Sequence, residues 1–206
     1  MKLMERPHIG LSYLDSLPPE FFEDFQRELR TDGLRLRVDA RPATPFAGVE
    51  WLLPTAVMLF LGKAYFEGFL AELGKDHYVA VKQAVHRLND RLKSLRFTLV
   101  GSPGKVADVQ RYSHAFSIWV EGPAERTFKF LLPADLASPT TDAALDVCLE
   151  FVRRYYQGDL QPIVYIHLAE TQAFGRTVLL AMNPADGSLQ LVHPITREHA
   201  PLPPIA

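Results

Sequence analysis

Trp51-Leu52-Leu53-Pro54-Thr55-Ala56-Val57-Met58-Leu59-Phe60-Leu61 is the most apolar run in the chain, with Thr55 its only polar residue. Reading forward from it, Met58, Leu61, Tyr65, Phe69 and Leu73 recur at three- and four-residue spacing, and Pro54 suits a first helical turn. The pattern predicts a helix from Pro54 to Leu73. Gly74 stands where a left-handed cap would end it, and Asp76 is placed to cap a second helix. In that second helix Tyr78, Val81, Val85, Leu88, Leu92 and Leu95 repeat in threes and fours, the spacing of an antiparallel helix-helix seam. Trp51 to Leu95 therefore predicts a helical hairpin at the centre of the fold.

The run is too short to cross a bilayer, which needs roughly twenty apolar residues. Extending it to Leu73 places Lys63, Glu67 and Glu72 at membrane depth, so a buried helix is favoured and membrane contact is not. The first hairpin helix nonetheless carries more apolar surface than one seam needs. Val57, Leu59, Phe60 and Phe66 lie off the ridge, which calls for cover from a sheet or from another subunit.

Around this centre the periods change several times. Phe22, Phe25 and Leu29 share one face of a helix entered through Asp15 to Glu20, with Ser16 as its cap, and stopped by Thr31-Asp32-Gly33. Leu34, Leu36 and Val38 alternate with Arg35, Arg37 and Asp39, the pattern of a strand with one wet face. Strands are also expected at Arg96 to Val100, Phe116 to Val120 and Thr127 to Leu131, the last two joined as a hairpin through residues 121–126. A helix from Thr141 to Gln157, capped by Thr140 or Thr141, packs through Leu145, Cys148, Leu149 and Val152 and ends at Gly158-Asp159. Ile163 to Leu168 is apolar at nearly every position and predicts a central strand covered on both faces. Thr177 to Met182 and Leu189 to His193 form a hairpin across a turn in which Gly187 takes a positive φ. The expected architecture is one α+β domain over residues 1–200. It has a mostly antiparallel sheet of about six or seven strands, the central antiparallel helical hairpin, two further helices, and an extended proline-rich tail at 201–206.

The totals narrow the function classes. Twenty-two basic residues against twenty-four acidic give a formal charge of -2, so bulk electrostatics recruits no nucleic acid. The single cysteine, Cys148, forms no internal disulfide and no leader pattern opens the chain, which fits a reducing cytoplasmic setting. Gly101-Ser102-Pro103-Gly104-Lys105 fails the spacing of a phosphate loop, and His77 and His86, nine residues apart, fall on opposite sides of one helix. No histidines or cysteines have ligand spacing, so neither a metal nor a cofactor is expected.

Two constellations stand out. Lys63, Glu67, Lys75, Asp76 and His77 gather polar groups around the apolar hairpin, with Lys63 and Glu67 spaced to pair. Together with Val57, Leu59 and Phe60 they form the expected interaction surface. His167 and Glu170, with Glu150 on the preceding helix, are the candidate acid-base set of an alternative reading as a small hydrolase or transferase. The favoured expectation is a non-catalytic cytoplasmic accessory module. It would present the hairpin, or the sheet edge beside it, to a protein partner or to a second copy of itself as a homodimer. A membrane-contacting effector is the remaining alternative.

Overall fold

The apolar run is a strand. In the computed structural model, which describes residues 7–43, 50–70, 75–94 and 111–204, Glu50–Leu52 is one 3-10 turn and Val57–Leu61 is a strand, β3. Val57, Leu59 and Leu61 are fully buried on one side of it, while Met58 and Phe60 are half-buried on the other. Both faces carry large apolar side chains, so the alternation that marks a strand is invisible in the sequence. β3 ends at Gly62, whose N–H donates to the His8 carbonyl at 2.8 Å. A Cβ there would lie 2.7 Å from the Pro7 carbonyl oxygen, so glycine allows the close approach. Residues 63–70 then make only a short helical passage with a π turn at Tyr65–Phe69, in place of the long first hairpin helix. The second helix is present as Lys75–Leu92, here α2 with α1 at Glu20–Leu29, and it buries Tyr78, Val81, Val85, Leu88 and Leu92 as the seam requires.

A second correction concerns Ile163 to Leu168. It lies in a helix, Pro162–Glu170 (α4), with Pro162 in the first turn. Only Val164 and Leu168 are buried, four residues apart, while Ile163 and Ile166 are 50% and 51% exposed. A six-residue apolar run carries too little period to separate strand from helix. Elsewhere the local patterns hold. α1 buries Phe22, Phe25 and Leu29, although its cap position is Pro19 and not Ser16. Pro139–Gln157 (α3) buries Leu145, Cys148, Leu149 and Val152, ends on Gly158 at φ 78°, and is capped by Ser138, not by Thr140 or Thr141. The expected strand at 96–100, the 101–105 loop, Gly74 and Leu95 lie outside the described residues.

The sheet is mixed, which replaces the mostly antiparallel α+β expectation with an α/β arrangement. Ile9–Leu14 (β1), Leu36–Arg41 (β2), β3, Tyr112–Glu121 (β4), Thr127–Pro133 (β5), Thr177–Met182 (β6), Leu189–Val192 (β7) and His199–Pro201 (β8) form one sheet in the order β2-β1-β3-β4-β5-β6-β7-β8. The pairs β1/β2, β3/β4 and β5/β6 are parallel, and the other four are antiparallel. α1, α2 and α3 lie on one face, over Ile9, Leu11 and Tyr13 of β1, Val57, Leu59 and Leu61 of β3, Phe116, Ile118 and Val120 of β4, and Phe128 and Phe130 of β5. Tyr13 stacks on Phe22 at 3.9 Å, and Phe130 meets Phe151 at 5.8 Å. β1 and β5 run the same way and cross on that same face, but β1 steps to β2 and β5 to β6 toward opposite edges. The two crossovers therefore have opposite hands, a departure from the usual rule. Among the described residues, no helix is long and apolar enough to cross a membrane.

Candidate functional site

The face away from the helices divides into two halves. Over β5 to β7 it is covered: Trp51, Tyr112, Leu131, Leu179, Ala181 and Val192 make a small second core, with Trp51 edge-on to Tyr112 at 5.2 Å. The main chain around Trp51 is held by Lys129, which is 1% exposed. Its Nζ donates to the Trp51 carbonyl at 2.8 Å and the Leu53 carbonyl at 2.5 Å, and lies 5.2 Å from the Trp119 ring centre. Burial pushes the Lys129 amine down to about 7. Thr55 Oγ1 donates to the Val57 carbonyl at 2.7 Å and sits 2.6 Å from Ser117 Oγ, which accepts from Trp119 Nε1 at 2.7 Å.

Over β1 and β3, with the adjoining Trp119 of β4, the described residues leave the same face open. Gly10 and Ser12 of β1, Met58 and Phe60 of β3, and Trp119 line a mainly apolar concavity of about 530 Å³, rimmed by Arg37 and Asp39 of β2. Side-chain alternation places them there: these residues are the ones out of phase with the core positions of their strands. Trp119 is fixed by its bond to Ser117, so its ring edges the concavity in a set position.

A more polar cleft of about 750 Å³ lies at the sheet end where β3 and β4 finish, between Lys63, Glu67, Glu121, Glu125, Arg126, Arg176 and the three tyrosines Tyr155, Tyr156 and Tyr165. Its charged groups answer one another. Lys63 pairs with Glu67 at 3.2 Å and Arg176 with Glu125 at 2.9 Å, while Arg126 Nη1 donates to the carbonyls of Leu168, Ala169 and Thr171 at the end of α4. Tyr156 and Tyr165 donate to the Glu121 and Tyr155 carbonyls, both at 2.9 Å. The hairpin beside it is strained: Arg126 N–H donates to the Pro123 carbonyl at 3.1 Å across Ala124 and Glu125, at φ 51° and 58°. Both central residues are left-handed, as in a type I′ turn, where Asn-Gly is usual.

The sequence candidates are dispersed. Val57 and Leu59 are sealed under the helices, so they belong to the core and not to an interaction surface, and Phe60 alone of the three reaches the open face. With β3 inside the sheet, Val57–Leu61 is not part of the first helix of a hairpin. Lys63 and Glu67 pair as their spacing suggested. Lys75 and Asp76 open α2, where Asp76 is exposed. His77 is half-buried, its Nδ1 2.9 Å from the Tyr65 hydroxyl, and burial lowers its pKa. His167 lies on α4 with Nε2 buried and without a hydrogen-bond partner, Glu170 ends the same helix, and Glu150 on α3 is bound by Arg153 at 2.5 Å. No hydrogen bond or ion pair joins His167 to either glutamate. Cys148 is fully buried, and its thiol is pushed upward by burial.

Sequence reasoning missed the cluster between α2 and α3, where His86 Nε2 meets Asp146 at 2.9 Å, His86 Nδ1 stands 3.6 Å from Asp142, and Lys82 reaches Asp146 at 3.0 Å. The signal was available: Lys82 and His86 are four apart on one helix, as are Asp142 and Asp146 on the next, so two complementary pairs face each other. Their mutual pairing makes this a helix-helix contact. Among the described residues, no three histidine, cysteine or carboxylate side chains converge on a metal position. The chain matches no protein family, no curated protein and no solved structure.

Proposed function

We propose that the protein is a non-catalytic binding module whose contact surface is the open half of the sheet, between β2 and Trp119. One observation carries this reading: among the described residues, a single sheet face is roofed on one half by its own chain and left as an apolar concavity on the other, edged by an unpaired strand. Apolar concavities with a polar rim are characteristic of protein contact sites. The acid-base alternative finds no support in the placement of His167, Glu170 and Glu150, and the polar cleft has its charges matched internally.

A photo-crosslinking residue at position 58 tests the reading, with position 79, on the exposed outer side of α2, as control. In cells, position 58 should yield one discrete adduct that is lost when Phe60→Asp is added, and position 79 should not yield it. Absence of an adduct from position 58, or one insensitive to Phe60→Asp, would overturn the proposal.

A further inference from the structure

The two edges of the sheet are unlike. β8 has three residues and ends in Pro201, which has no N–H to offer, so that edge is blunted. β2 has six residues, all paired to β1 on one side only. The Arg35 carbonyl accepts from Ile9, and the Arg41 carbonyl accepts from Asp15. In a parallel ladder this phase directs the main-chain groups of Arg37, Asp39 and Arg41 inward to β1. Those of Leu36, Val38 and Ala40 therefore point outward and, among the described residues, have no neighbouring strand. Six outward donors and acceptors on a regular strand are a template for another strand.

We infer that this template is for a second copy of the chain, joined antiparallel about a two-fold axis at Val38; the inference rests on the reading of the open half as a contact surface. Leu36-Arg37-Val38-Asp39-Ala40 is self-complementary in that register. Val38 faces Val38 of the second copy, Leu36 faces its Ala40, and each facing pair exchanges two main-chain bonds, about six in all. Between them Arg37 faces Asp39 of the second copy, and Asp39 faces its Arg37. These fall at the non-hydrogen-bonded positions, where side chains approach most closely and opposite charges help. Both residues are exposed and pair with each other within the single chain, so dimerisation exchanges two intramolecular contacts, one in each copy, for two intermolecular ones. Arg35 and Arg41 meet only at the outer ends, where Arg41 is turned inward onto the Thr55 carbonyl.

Other registers are poorer. A shift of two residues one way sets Arg37 against Arg37, and two the other way sets Asp39 against Asp39 and brings Pro42, which cannot donate, opposite Leu36. A shift of one turns outward-facing groups away and exchanges the faces of every side chain. The assembly is isologous, as a two-fold contact must be, and it runs the two sheets into one with both open concavities on the same side.

Sedimentation of the full chain tests this through charge exchange. Arg37→Asp places Asp against Asp at both contacts, and Asp39→Arg places Arg against Arg. Each variant alone should weaken the dimer by at least about tenfold. An equimolar mixture of the two restores both opposite-charge contacts and should sediment as a dimer again. A wild-type chain that stays monomeric at micromolar concentration, single variants that dimerise as tightly as wild type, or a mixture that stays monomeric would each overturn the inference. A monomeric wild type that still gives the Phe60-dependent adduct from position 58 removes the dimer and leaves the binding-module reading intact; a charge-dependent dimer without that adduct does the reverse.

Discussion

The two halves of the helix-free face are built from the same sheet, yet among the described residues one is roofed and the other bare. The difference lies in what each half offers to a covering main chain. Buried carbonyl and amide groups must be paired. On the roofed half Lys129 supplies donors to the Trp51 and Leu53 carbonyls, and Arg41 supplies one to the Thr55 carbonyl, so these carbonyls of residues 51–55 are paired where the segment lies against apolar side chains. On the open half the concavity is lined by Gly10, Met58 and Phe60, with Ser12 beside them. Glycine has no side chain to offer, and methionine and phenylalanine offer no hydrogen. Hydrophobic strand residues attract cover, but polar anchors decide where the chain's own backbone can provide it.

The largest effect should come from removing the anchor. Lys129→Ala leaves the two carbonyls unpaired and deletes a buried aliphatic stem, and should lower stability by about 3 kcal/mol at about pH 9 in urea unfolding. The pH dependence has a definite sign. Between about 7 and its ordinary pKa of 10.5, the Lys129 amine is protonated in the unfolded chain and neutral in the folded one. The unfolded state then holds more protons, so the advantage of wild type over Lys129→Ala rises with pH across that window and is flat below it. A difference that falls with pH would mean that the charged amine is the form that holds the roof.

Truncation on either side of the boundary tests the contrast directly. Leu179→Ala, on the roofed half, removes a buried side chain and should cost about 2–4 kcal/mol. Met58→Ala, on the open half, should cost about 1 kcal/mol, because its surroundings are already half solvent. Equal losses in the same unfolding measurement would mean that the open half is covered in solution. The smallest effect is expected at the β4–β5 turn, on the strand pair that joins the halves. Glu125→Gly relieves a left-handed residue and should raise stability by about 0.5 kcal/mol, while leaving the difference between Leu179→Ala and Met58→Ala unchanged.

The candidate surface was legible in the sequence only in fragments. Phe60 was singled out for apolar width, and the alternation of Arg37 and Asp39 with Leu36 and Val38 marked a strand with a wet face. Gly10, Ser12 and Trp119 carried no signal of their own, because they join the surface only through the β1-β3-β4 order. Lys129 sits in an alternating strand as an apparently solvent-facing charge, and its burial follows from the Trp51 segment folding over it.

The sequence by itself determined the elements whose signals are local: the buried faces of α1, α2 and α3, the helix end at Gly158, the positive φ at Gly187, and the β4–β5 and β6–β7 hairpins. These depend on spacing within one element and on backbone preferences of single residues. Tertiary structure alone decided that Val57–Leu61 is a strand and Pro162–Glu170 a helix, that the sheet is mixed, and which half of its bare face is roofed. A short apolar run is stable as either element, and only the neighbours available to it choose. β3 finds β1 and β4 to satisfy its main chain on both sides. α4 satisfies its own, and so can leave Ile163 and Ile166 in solvent.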